Sequence, residues 1–249
     1  MSRKHTYLAL LMVVCSAVSV AQSSNLNQIE GGLETNKRSY ATRWVCTGDT
    51  LAIDTTSNDG IVCLIDGFWI TCQEITQDLW QYYMHYNPSV EQGELLPVTN
   101  ISRSEADTFC HRITIGNGPQ WRLPTLEEWR FAYNGGIFSE SYQHSGSNKI
   151  NFVGWTAHNS GGKLHQVGKL IPNELGLYDM DGNVWELVTY GDSTLCAGRS
   201  FRQKVIKSKS HFTIKPDAIE PECIGLRPVM REPLWFDIYE NRIFRQPKL

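Results

Sequence analysis

The stretch LGLYDMDGNVWEL, residues 175 to 187, sets oxygen-bearing side chains at Asp179, Asp181, Asn183 and Glu186 around one glycine, Gly182, and then closes on Trp185. A bend this rich in acceptors needs something to hold. An EF-hand also places oxygens at alternate positions around a glycine, but it ends on a bidentate glutamate after about twelve residues. Glu186 arrives too early for that pattern. Two readings remain. In one, a sharp turn at Gly182 aims backbone carbonyls at a hard cation while carboxylates balance its charge. In the other, Asp and Asn bond their own backbone in a polar turn that leads into a strand bearing Trp185.

The chain has 249 residues, of which 41% are apolar, ample for a packed core. Its first 21 residues, Met1 to Ala21, read as an export signal: Arg3 and Lys4, an apolar run from Tyr7, and a small-x-small site at Ser19-Val20-Ala21 before Gln22. Cys15 follows Val14, where a lipoprotein signal would carry a small residue. No later segment approaches the roughly 18 apolar residues of a transmembrane helix. These features predict a periplasmic, cell-surface or secreted protein. Beyond the leader lie six cysteines, Cys46, Cys63, Cys72, Cys110, Cys196 and Cys223, an even number that suggests disulfides without choosing their pairing. The net charge of −3 argues against nucleic acid and against a membrane-binding patch.

Residues 22–60 read as a polar leader or linker, with room for one short strand before residue 45. Ile61 to Ile75 is rich in branched and aromatic residues and predicts strand, and Thr76 opens a helical pattern through Leu79, Tyr82 and Tyr83. Ser102-Arg103-Ser104-Glu105 is a capping box, followed by an apolar face at Ala106, Phe109, Cys110 and Ile113. Thr125-Leu126-Glu127-Glu128 repeats the device, and Gly135-Gly136 ends that helix. Later residues are loops and short extended pieces, with strands expected over Cys196–Ser200 and Cys223–Met230. The pattern is α+β. The apolar tail from residue 233 to 249 must be covered by its own domain or by a partner.

Six ordered blocks carry a resemblance: GFWITCQEITQDLW (67–80), LPVTNISRSEADTFC (96–110), WRLPTLEEWRFAYNGG (121–136), PNELGLYDMDGNVWEL (172–187), GRSF (198–201) and GLRPV (225–229). Together they resemble the sulfatase-modifying-factor family, the formylglycine-generating-enzyme domain, over residues 61–232. The resemblance implies a loop-rich C-type-lectin-like fold. It also implies a structural calcium ion held by the Asp179 side chain, the carbonyls of Gly182 and Val184, and the Glu186 carboxylate, with Asp181 and Asn183 behind them or exposed.

Enzymes of the family oxidise a sulfatase cysteine to formylglycine with copper(I) on two thiolates, ligands that suit this soft ion. Counted from the GRSF strand, those two positions here are Gln203 and Ser208, so copper is not expected. The strands flanking Cys196 and Cys223 are adjacent in the family, which implies a disulfide between them. Arg122, Glu128 and Arg227 read as ion pairs and caps of the frame. His144, His158 and His165 share a loop-rich stretch but form no metal-binding spacing. The basic run holding Arg202, Lys204, Lys207 and Lys209 can meet an anionic partner or face solvent. The expected function is an exported binding or assembly module without oxidase activity, taking a protein or glycan partner. The alternative is an active formylglycine-generating oxidase.

Overall fold

Two of the three α-helices among the described residues start at a capping box that satisfies their first amide groups. In the computed structural model, which describes residues 42–45, 68–114, 120–205, 213–230, 235–237 and 242–244, helix α1 spans Gln77–Met84 behind an extended Thr76. It buries Leu79, Trp80 and Met84. Helix α2, Arg103–Ile113, begins at a complete capping box: the Ser102 hydroxyl accepts from the Glu105 amide at 3.3 Å, and Glu105 accepts from the Ser102 amide at 2.7 Å. Its buried residues are Ala106, Phe109, Cys110 and Ile113, the face the spacing predicts. Helix α3, Leu126–Tyr133, begins at the second box, Thr125 with Glu128, and Gly135 and Gly136 follow it at φ 85° and 61°. The Trp80 and Phe109 rings stack at 5.1 Å and join α1 to α2.

The strands are β1 (Thr42–Val45), β2 (Phe68–Thr71), β3 (Trp121–Arg122), β4 (Trp185–Tyr190), β5 (Ser193–Gly198), β6 (Thr213–Ile214), β7 (Ile224–Gly225), β8 (Val229–Met230), β9 (Trp235–Asp237) and β10 (Arg242–Phe244). One sheet runs in the order β1-β2-β8-β3 and a second in the order β6-β5-β4-β7, while β9 and β10 pair with each other. Strands β4 and β5 form an antiparallel hairpin, with Trp185 opposite Gly198, and β7 runs parallel to β4. The architecture is the expected α+β, built of short strands and loops around three helices.

Several boundaries differ from expectation. Strand β1 is the one short strand for which the segment before residue 45 has room, and it pairs with β2 through four residues, so the frame draws on residues before 61. Residues 61–67 of the long predicted strand lie outside the described residues, as do Met1–Ala21, Cys46, Cys63 and the side chains of the tail. The stretch expected as one strand, 223–230, divides into β7 and β8 because the chain changes sheets across Leu226-Arg227-Pro228.

The expected bridge between Cys196 and Cys223 is not formed. Both are buried free thiols, as is Cys110. Strand β4 lies between β5, which carries Cys196, and β7, which Cys223 precedes, so the two residues are not on neighbouring strands. Two strand spacings amount to about 9.5 Å, beyond the roughly 7 Å Cα separation a disulfide can bridge. A peptide map made without reduction is therefore expected to contain no Cys196–Cys223 linked peptide. The thiols of Cys110, Cys196 and Cys223 should react with a thiol reagent only once the protein is unfolded, with mass spectrometry as the readout.

Candidate functional site

The bend from Asp179 to Asn183 is wound through backbone conformations that few residues adopt. Asp179 and Asn183 both have φ of 57°, the left-handed region that Asp and Asn tolerate better than other residues with side chains, and Gly182 has φ of 126°. A Cβ at Gly182 would run into the Trp155 backbone, so this position admits only glycine. The bend is also closed off from water: Asp179, Asp181, Asn183 and Glu186 are all buried. The side chains do not bond their own turn, and Asp181 and Asn183 are not exposed. Their partners come from distant segments.

Glu186, on β4, accepts from the Trp129 indole N–H at 2.6 Å and from the Arg227 guanidinium at 2.8 and 2.9 Å. Arg227 is fully buried and donates as well to the Thr71 carbonyl at 3.0 Å and to the Tyr178 carbonyl at 2.7 Å. One guanidinium thus ties β2 of the first sheet, β4 of the second and the residue before Asp179. Burial opposes the Arg227 charge, but Glu186 outweighs it and keeps the guanidinium pKa above its ordinary value.

Asp181 forms a second buried pair, with Arg199, and also meets His144 Nδ1 at 2.8 Å and the Tyr133 hydroxyl at 2.7 Å. Burial works to raise its pKa, yet these three donors hold the carboxyl below the ordinary range. Asn183 joins the bend to two further segments. Its amide donates to Glu74 at 2.7 Å and accepts from the His165 amide at 3.1 Å. Asp179 accepts from the Gly168 amide at 2.6 Å through Oδ2, while its Oδ1 is buried with no hydrogen-bond partner among the described residues. Burial, with the Glu186 charge adding to it, pushes the Asp179 carboxyl up to about 6 against the pull of Gly168, Arg227 and His165.

An orphaned buried carboxylate oxygen is costly unless something binds it. A hard divalent cation fits that requirement at Asp179 Oδ1, with the Gly182 and Val184 carbonyls as the oxygen donors such an ion prefers. Glu186 differs from the implied ligand set, because both its oxygens already accept from Trp129 or Arg227. Among the described residues no three His, Cys, Asp or Glu side chains converge as a cage, so backbone carbonyls and water would complete any coordination.

Elsewhere the predicted residues scatter. Gln203 is exposed, its amide donating to the Ser200 carbonyl at 3.0 Å, and Ser208, Lys207 and Lys209 lie outside the described residues. Arg202 is paired with Glu220 and Glu222 and lies 5.1 Å over the Phe201 ring, so its charge is locally compensated, while Lys204 is exposed. The three loop histidines do not converge: His144 meets Asp181, His165 stacks on Trp155 at 3.7 Å, and His158 is exposed. Arg122 and Glu128 form the expected pair, at 2.6 Å.

Sequence reasoning missed Glu74, Trp129, Tyr133 and Arg199. Trp129 and Tyr133 had a usable signal, since they stand four apart on α3 and so share its inner face. Glu74 had none, because its partners are more than a hundred residues away. Removing the guanidinium would strand Glu186 as a buried charge. Arg227→Ala is accordingly expected to cost about 3–5 kcal/mol, read as a shifted midpoint in urea.

The comparisons agree with this geometry. The family described as sulfatase-modifying factor enzyme 1-like domain matches residues 33–232. A chaperone protein, LppX of Paenibacillus barcinonensis, is 29% identical over 215 residues, covering 66% of this chain and 70% of that protein. The inactive C-alpha-formylglycine-generating enzyme 2 of Mus musculus is 30% identical over 127 residues, 46% of this chain but only 38% of the mouse protein. Among solved structures, Treponema denticola variable protein 1 superposes with a TM-score of 0.67 at 23% identity, over 80% of this chain and 98% of that one. PvdO from Pseudomonas aeruginosa gives 0.54 at 16% identity, over 77% and 92%. At such identities these structures establish the shared fold. On the extent of the family match, the chain belongs to the sulfatase-modifying factor enzyme 1-like domain family.

Proposed function

We propose that this chain is an exported, non-catalytic member of its family that acts as a binding or assembly module for a protein or glycan partner. The observation that carries the reading is the pair Gln203 and Ser208 at the positions where the family's enzymes hold copper on cysteines. An amide and a hydroxyl cannot replace two thiolates for a soft ion. Burial also pushes the thiols of Cys110 and Cys196 up to about 12 and raises that of Cys223, which disfavours their thiolates. Two further supports come from relatives, one named inactive and one named a chaperone. The Met1–Ala21 leader supports export. A rigid frame can present loops to a partner after catalytic residues are gone.

Co-expression with a sulfatase peptide carrying its target cysteine, followed by mass spectrometry, tests the loss of oxidase activity. The peptide is expected to keep its thiol, and conversion above background would restore the oxidase reading.

Calcium belongs to the same proposal as a brace for the buried bend rather than as a reagent. Adding it is expected to raise the melting temperature, and Asp179→Ala should abolish that gain. Asp179 is a cleaner probe than Glu186, whose loss would also unpair Arg227. Identical melting curves for the native protein with calcium and with chelator would remove the calcium brace.

A further inference from the structure

Glu74 stands outside the calcium ligand set described above, yet it is buried at 2% exposure against that site. It follows β2, and both its oxygens are committed to the bend: Oε1 accepts from the Val184 amide at 3.1 Å, and Oε2 from the Asn183 side chain at 2.7 Å. The Val184 amide belongs to the peptide unit between the two whose carbonyls, Gly182 and Val184, would face the ion. Holding the middle peptide limits how either neighbour can rotate. At the other end of the same unit, the Asn183 carbonyl accepts from the Phe201 amide at 2.8 Å, so the unit is clamped from two directions.

Charge adds a second constraint. Asp179, Glu186 and Arg227 all act electrostatically on Glu74, so three carboxylates and one guanidinium share this buried region. Ionised together, they leave two negative charges uncompensated in a medium that penalises buried charge heavily. Burial first, and then the Asp179 and Glu186 charges, push the Glu74 pKa well above the ordinary carboxylate value. Either a proton on Glu74 or a divalent cation relieves that charge, and Asp179 Oδ1 supplies the cation with an oxygen that no hydrogen bond has claimed among the described residues.

We propose that Glu74 is a positioning residue for a divalent cation held at Asp179: its side chain clamps the Asn183–Val184 peptide between the two carbonyl ligands. The inference rests on the calcium reading above. Glu74→Gln keeps the size of the side chain, removes its charge and turns one acceptor into a donor facing Val184 or Asn183. Isothermal titration of the full mature chain with calcium chloride is expected to show at least tenfold weaker binding for this variant. Preference for calcium over sodium should fall with it. A role confined to packing would lower the melting temperature of the apo protein and leave calcium affinity unmoved, and that result would overturn the proposal.

If Glu74→Gln does not fold, Glu74→Asp takes its place, since it retains the charge but is too short to clamp both groups. Its calcium affinity should fall below that of the native chain, and equality would overturn the proposal. Native protein that binds no calcium would remove the ion and this inference together. Native binding with unchanged Glu74 variants would remove only the inference, while Asp179→Ala reports on the ion itself.

Discussion

A single buried guanidinium, that of Arg227, holds the two sheets to each other and to the bend that carries the acids. It reaches Thr71 on β2, Glu186 on β4 and the Tyr178 carbonyl beside Asp179 from one point in the chain, the crossing between β7 and β8. A planar fork with five N–H donors can satisfy three segments at once, which a lysine ammonium on a flexible stem could not do with the same geometry. Glu186 answers from the other side by also taking the Trp129 indole, so α3 is fastened to β4 through the same carboxylate. Such a pair contributes less through net attraction than through the cost of breaking it.

Around that pair the bend forms two polar nests of different character. Asp181 is fully served by Arg199, His144 and Tyr133, and its carboxylate is comfortable as an anion. Asp179 and Glu74 are not: both are raised by burial, and Asp179 keeps an oxygen without a partner among the described residues. The contrast lies within two residues of chain and follows from supply, since cationic donors reach one side of the bend and one backbone amide reaches the other.

Much of the frame is legible in the order of residues alone. Both capping boxes, the inner face of α2 and the glycine stop after α3 are local patterns, satisfied within a few residues, and they form as written. A strand beginning at Trp185 follows only from the polar-turn reading of the bend, and β4 forms there. Strand ends and pairing are not legible in this way: the segment before residue 45 shows room for a short strand, but its four residues carry no sign that β2 is the partner. The expected Cys196–Cys223 pairing fails for a related reason. It requires neighbouring strands, and β4 intervenes.

The sequence by itself determined which oxygens crowd the bend, where its glycine must stand, and which residues occupy positions 203 and 208, because each of these is a matter of residue identity at a position. Only the tertiary structure decided what those oxygens meet. Glu74 lies more than a hundred residues from Asn183, and Arg227 more than forty from Glu186, so their contacts exist only once the sheets have closed. Burial then converts an apparently polar turn into an interior charge cluster, where each carboxylate's state depends on donors brought from elsewhere in the chain.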